Sequence, residues 1–139
     1  MDLFQEPFKA YRYLFPPMVI TVEGGKVEYG DEESFFNGIK PDNELTYSHF
    51  YGHDYPEIIF TTERDLRPNI LVFGNSFDNP LLKMIASHYH QTYSIDLRYY
   101  KDVKKHEFNL NEYIQEHQIN DVLFIINFIF IGDYHTIEL

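Results

Sequence analysis

The sequence predicts an α/β fold, a short parallel sheet held between helices, and three observations carry that expectation. The apolar run Ile70–Phe73 ends at Gly74 and is followed by Asp78-Asn79-Pro80 and a stretch of helical spacing. The alternating segment Thr92–Leu97 comes next. A second helical stretch then leads into the near-continuous apolar run Asp121–Ile131. Strands that alternate with helices form βαβ units, and right-handed crossovers lay those helices on the sheet. With Ile70–Phe73 central, the strand order is 2-1-3 in a three-layer sandwich. An N-terminal β-hairpin and a loop-rich region complete a single domain, divided into residues 1–69, a βαβαβ unit at 70–131 and a tail at 132–139.

Each element has a local justification. Residues 1–18 alternate aromatics with prolines (Phe4, Phe8, Tyr11, Tyr13, Phe15, Pro16, Pro17) and form an irregular entry that packs rings on the core. Met18–Val22, the Gly24-Gly25 turn and Val27–Tyr29 read as a hairpin, because glycine supplies positive φ. Residues 30–56 are acidic and turn-rich, with a short helix at Glu32–Phe36, and Glu57–Thr62 is a further strand. In Pro80–His88, Leu81, Leu82 and Ile85 repeat at helical spacing. Asn79 serves as N-cap and Pro80 as first helical residue, where a missing N–H has no intrahelical partner. Thr92–Leu97 sets Tyr93, Ile95 and Leu97 against Thr92, Ser94 and Asp96, the pattern of a half-exposed strand near a sheet edge. Tyr99–Phe108 reads as a loop. Helix Leu110–His117 opens with Asn109 and Glu112 at capping-box spacing, and Asp121–Ile131 reads as a buried parallel strand.

Composition narrows the function. The 139 residues carry a net charge of −11, spread along the chain, and include 12 Tyr and 13 Phe. That field repels phosphate backbones, which argues against nucleic acid as a partner. There is no cysteine, which removes thiol catalysis, thiolate metal sites and disulfides. The mixed, acidic N-terminus has no signal-peptide character, and the compartment stays open. The longest apolar run, Val122–Ile131, is too short to span a bilayer and contains Asn127. His88 and His90 project about 200° apart on a helix and do not converge, no glycine-rich phosphate loop is present, and neither metal nor cofactor is expected.

The residues with chemical promise cluster at Gly74-Asn75-Ser76. A strand–turn–helix junction places Ser76 at the carboxyl end of a strand, close to the positive end of a helix. Such a serine is either a nucleophile or a local cap that satisfies helix N–H groups. Asn75 and Asn79 are candidate donors to an oxyanion beside the Ser76 backbone N–H; turn and cap duty are their alternatives. Asp96 and Arg98 pair across a strand end.

The blocks Gly74-Asn75-Ser76-Phe77, Asp96-Leu97-Arg98-Tyr99-Tyr100 and Asn120-Asp121-Val122-Leu123 give roughly Tyr51–Phe128 a recognisable pattern. This part of the chain resembles the C-terminal part of the DHHW proteins, related to the alginate O-acetylation proteins of the SGNH (GDSL-like) hydrolase superfamily. The resemblance implies a flavodoxin/SGNH-like sandwich, with Ser76 as nucleophile in a carbohydrate O-acyl esterase or acyltransferase. It implies an acylated carbohydrate as partner and an extracytoplasmic or cell-envelope setting. Asn75 stands where the family often has Asp or Thr. The family's Asp and His lie in an Asp-His-His-Trp-type motif before the serine; this chain has no Trp and no such motif upstream. The chain is therefore a fragment or a degenerate relative, and a non-catalytic binding or assembly module is the alternative function.

A serine nucleophile needs a base, normally a histidine oriented by a carboxylate. His88 and His90 lie about 12 Å or more along the helix from Ser76. His106 and His117 belong to the opposite rim, while His49 and His53 sit in an upstream loop that could fold back over the site. Asp133-Tyr134-His135 follows the last strand with the Asp-x-His spacing of the superfamily, which makes His135 and Asp133 candidates for base and orienting acid. A frayed tail is the alternative. Asn127, inside a strand, reads as bonded to a neighbouring loop. The apolar edge Asp121–Ile131 is expected to pair two copies into a homodimer.

Overall fold

A computed structural model of the chain describes residues 15–22, 51 and 54–125. The strands are β1 (Met18–Val22), β2 (Glu57–Thr62), β3 (Asn69–Gly74), β4 (Gln91–Ile95) and β5 (Ile119–Ile125). The helices are α1 (Asn79–Ala86), between β3 and β4, and then α2 (Leu97–Lys104) and α3 (Leu110–Glu116), both between β4 and β5. Val27–Tyr29, Glu32–Phe36, His49, His53, Asn127, Asp133 and His135 lie outside the described residues.

The strands form one five-stranded sheet in the order β1-β2-β4-β3-β5. β3 pairs in parallel with β4 and β5, whereas β2 runs antiparallel to both β4 and β1. The sheet is therefore mixed, and wider than a parallel three-strand unit. Met18–Val22 pairs along its length with Glu57–Thr62, so residues before position 70 belong to the same sheet as those after it.

β3 and its neighbours bury side chains on both faces. Ile70 and Val72 join Ile20, Val22, Ile58, Phe60, Leu82 and Ala86 on the α1 side. Leu71 and Phe73, one residue out of phase, join Tyr93, Ile95, Tyr100, Phe108 and Tyr113 on the α2 and α3 side. The period-two alternation of a strand sends these two sets to opposite faces.

Three local expectations are corrected. β4 is interior and not near an edge: β2 covers its outer side, and Thr92, Tyr93, Ser94 and Ile95 are all buried. The segment from Leu97 is a helix and not a loop. Asp96 caps it by accepting the Arg98 N–H at 3.0 Å, and Lys105 closes it with a left-handed φ of 65°. β5 is exposed from Asn120 to Phe124 and so is not a buried strand over its described length. Its apolar side chains stand at the margin of the sheet, with Phe124 stacked on Phe73 at 4.9 Å between ring centroids.

At the amino end of the parallel strands, Asn69 ties three segments together. Its amide nitrogen donates to the His117 carbonyl at 2.9 Å, its Oδ1 accepts the Gln91 N–H at 3.1 Å, and its backbone N–H donates to Asn120 Oδ1 at 3.0 Å. Asn69→Ala removes two of these bonds and strands a buried-side carbonyl and N–H. A loss of about 1–3 kcal/mol, read from urea unfolding, is the expected outcome.

Candidate functional site

The carboxyl end of β3 and the segments around it build the site. After Gly74 the chain turns through Asn75, Ser76 and Phe77. The Asp78 N–H closes this turn on the Asn75 carbonyl at 2.9 Å, and Asn75 Oδ1 accepts the Phe77 N–H at 3.1 Å. Helix α1 then begins at Asn79. Asp78 occupies the N-cap and Pro80 the second helical position, so Asn79 is not the cap expected from the sequence. The Asn79 carbonyl accepts the buried Tyr51 hydroxyl at 3.1 Å, and its amide reaches Asp54 Oδ1 at 3.5 Å.

Above this turn is an open cleft. Gly74, Asn75, Ser76, Asp78 and Asn79 line it from the end of β3 to the start of α1, Ser94 from β4, Asp96 from the cap of α2, Ile58 from β2, and Asp54 and Tyr55 from the approach to β2. Ser76 is half-buried, and its hydroxyl makes no hydrogen bond among the described residues. It therefore does not cap α1. Asn75 is 3% exposed, and its Nδ2 has no partner among the described residues. A buried amide donor without an acceptor is costly.

The electrostatics are carboxylate-dominated. Arg98 grips Asp96 through Nε, at 2.9 and 3.0 Å from the two carboxylate oxygens, and its Nη2 lies 3.6 Å from Asp54. Burial raises the Asp96 carboxyl even against the Arg98 bond, and that bond in turn holds the guanidinium protonated. Asp78 is 2% exposed. Burial pushes its carboxyl up to about 7; a hydrogen bond from Ser94 Oγ at 3.1 Å opposes this, while the charges of Asp96 and Asp54 add to it. Gly74 makes the seat for that carboxyl, because a Cβ at position 74 would fall 1.7 Å from Asp78 Oδ2.

The structure thus brings Gly74, Asn75, Ser76 and Asn79 to one cleft, while Asp133 and His135 lie outside the described residues. No histidine lines the cleft among the described residues, nor is there a His/Asp/Glu group that would hold a metal ion. No helix among them is long and apolar enough to cross a membrane. Sequence reasoning missed Asp78, Ser94 and Asp54. No local signal marks them, because the contact of Asp78 with Gly74 forms beside Ser94 of β4, a partner distant in sequence.

Comparison with solved structures places this geometry. The structure is similar to that of a DHHW family protein from Eubacterium siraeum, with a TM-score of 0.55 and 17% identity over 88% of this chain and 40% of that one. The two share a fold. It is also similar to Bacillus cereus PatB1, with 30% identity over 68% of this chain and 28% of that one and a TM-score of 0.50. In a PatB1 structure with a sulfonyl adduct, the likeness covers 53% of this chain and 24% of that one at 33% identity and a TM-score of 0.45. The chain spans less than half the length of each neighbour. No family model matches it, and no curated protein matches it.

The Asp78 proton has a consequence for stability. Unfolded, the carboxyl releases its proton near pH 4; folded, it holds it to about 7. Between these values the folded state binds more protons, so stability is greatest below the window and falls as pH rises through it. At about 1.4 kcal/mol per unit the contribution is about 4 kcal/mol. Asp78→Asn removes this slope and makes the protein more stable than wild type at pH 8 and nearly equal at pH 4, as measured by urea unfolding across pH.

Proposed function

We propose that the cleft is an acyl-transfer site of SGNH-like character that cleaves or transfers an acyl group, acetyl above all, on a carbohydrate. Ser76 is the nucleophile, and its backbone N–H and Asn75 Nδ2 receive the oxyanion. The observation that carries this reading is that, among the described residues, a half-buried serine hydroxyl without a hydrogen bond stands beside a buried amide donor without an acceptor, on adjacent residues lining one cleft. A tetrahedral oxyanion supplies the missing acceptor, and supplies it only during reaction. The likeness to PatB1 and to the DHHW family protein supports the same assignment at the level of the fold.

In this reading the base is His135, oriented by Asp133. Gly74 is paired with Ile125 in the sheet, so β5 delivers the chain beside the Ser76 turn, and both residues follow Ile125 in sequence. The reaction then runs by proton transfer from Ser76 Oγ to His135 as the serine attacks the acyl carbon. The proton returns to the departing sugar oxygen, and water or a second hydroxyl releases the acyl group from Ser76.

The test is turnover of p-nitrophenyl acetate by the purified chain. Ser76→Ala is expected to abolish it, His135→Ala to reduce it to a comparable residue, and Asn75→Ala to lower kcat about 100-fold with little change in KM. The absence of histidine from the described cleft favours a second reading, a binding or assembly module that keeps the fold. Wild-type turnover indistinguishable from Ser76→Ala would establish that alternative.

We also propose that the apolar margin of the sheet at β5, extending in sequence to Ile131, pairs two copies of the chain. Val122, Leu123 and Phe124 are each exposed by more than a third, and apolar edges promote pairing. Light scattering at rising concentration is expected to show a dimer that Leu123→Lys converts to monomer.

A further inference from the structure

Asp78 stands at the head of α1, yet its carboxylate caps no N–H of that helix. It turns back onto the sheet. Its Oδ2 sits against Gly74 at the end of β3 and accepts Ser94 Oγ from β4. Its backbone carbonyl takes the first N–H groups of α1, from Leu81 at 2.7 Å and Leu82 at 3.1 Å. One residue therefore joins the ends of two strands to a helix, and Ser76 lies within the turn that the Asp78 N–H closes.

The groups facing Asp78 come from every element around it. Asp96 closes β4, and Asp54 and Tyr55 approach from the segment before β2. The cation at hand is Arg98 of α2, which is already engaged by Asp96 and lies 3.6 Å from Asp54.

We propose that Asp78 is a positioning residue that governs the Ser76 turn through its own protonation. As a neutral acid it accepts the Ser94 hydroxyl and rests on Gly74 without adding charge. As an anion it becomes a third carboxylate beside Asp54 and Asp96, and repulsion inside a buried site displaces the head of α1 and the Ser76 turn with it. The effect on catalysis rests on the reading of Ser76 as nucleophile; the effect on the turn does not.

The experiment is an amide NMR titration of the full chain from mildly acid to mildly alkaline pH. The amides of Gly74, Asn75, Ser76 and Phe77 are expected to shift with one common midpoint near neutrality. Asp78→Asn, which copies the neutral acid, abolishes that midpoint. Ser94→Ala, which removes a bond favouring the anion, moves it to higher pH. Turn amides that do not titrate, a midpoint that survives Asp78→Asn, or one unmoved by Ser94→Ala would each overturn the proposal. Where p-nitrophenyl acetate turnover is present, the ratio of wild-type to Asp78→Asn kcat is expected to fall above the same midpoint at unchanged KM, a ratio from which the titration of the base cancels; a ratio that does not change with pH would also overturn it. Absence of all turnover bears on the acyl-transfer reading, and the amide titration still decides this one.

Discussion

The burial of β3 on both faces is the constraint from which the rest of the molecule follows. A strand with Leu71, Val72 and Phe73 wholly out of water needs parallel or antiparallel partners along both edges and helices over both faces. β4 and β5 supply the edges. The α1 residues Leu82 and Ala86 cover one face, and Tyr100 and Tyr113, from α2 and α3, cover the other. Because β3 emerges from this core only at Gly74, the chain must convert from buried strand to exposed turn within two residues. The Asn75 amide nitrogen, without a partner among the described residues, and Ser76 lie there and line the cleft.

Burial also explains why the cleft is acidic without being saturated with charge. Asp96 is held by Arg98 and caps α2, and Asp54 lies against the same guanidinium. Burial keeps the Asp78 carboxyl protonated well beyond the ordinary carboxylate range, and among the described residues a further full charge there would have no cation of its own. The far side of the sheet shows the opposite solution. Glu57 accepts the Tyr113 hydroxyl at 2.7 Å and pairs with Lys104 at 3.0 Å, so a cation and a phenol reach both of its oxygens.

Much of this was legible in the sequence because it is local. The strand–turn–helix at Ile70–Pro80 follows from an apolar run, a glycine and a proline, and Asn109 with Glu112 marks the start of α3. The Asn109 side chain does accept the Glu112 N–H at 3.0 Å. What failed depended on distant partners. The exposed-edge reading of Thr92–Leu97 could not anticipate that Glu57–Thr62 would cover it. Asp96-Leu97-Arg98 looked like the end of a strand because its helix is specified by one cap and only two turns of weak spacing. Asp78 read only as part of the Asp78-Asn79-Pro80 helix opening, since nothing local announces that a carboxyl will be folded against a glycine four positions earlier.

The described wall of the cleft supplies no imidazole for the proposed Ser76 nucleophile. On the β4 and β2 side the wall is made of Asp54, Asp78, Ser94 and Asp96, none of which is an imidazole, and Arg98 stays protonated. Asp78 itself sits against Gly74 with one oxygen already taken by Ser94, so it serves the turn and not the serine hydroxyl. His49 and His53 are candidates that lie outside the described residues; in the proposed reading the base comes over β5. Its last described residue pairs with Gly74, and the sequence after that point carries Asp133 and His135. Parallel pairing makes this economical, because strands that run together deliver their following segments to the same edge of the sheet. In the proposed reading, the acidic wall has a separate use: carboxylates favour the protonated form of an imidazole brought close to them, the form a general base reaches as the serine attacks.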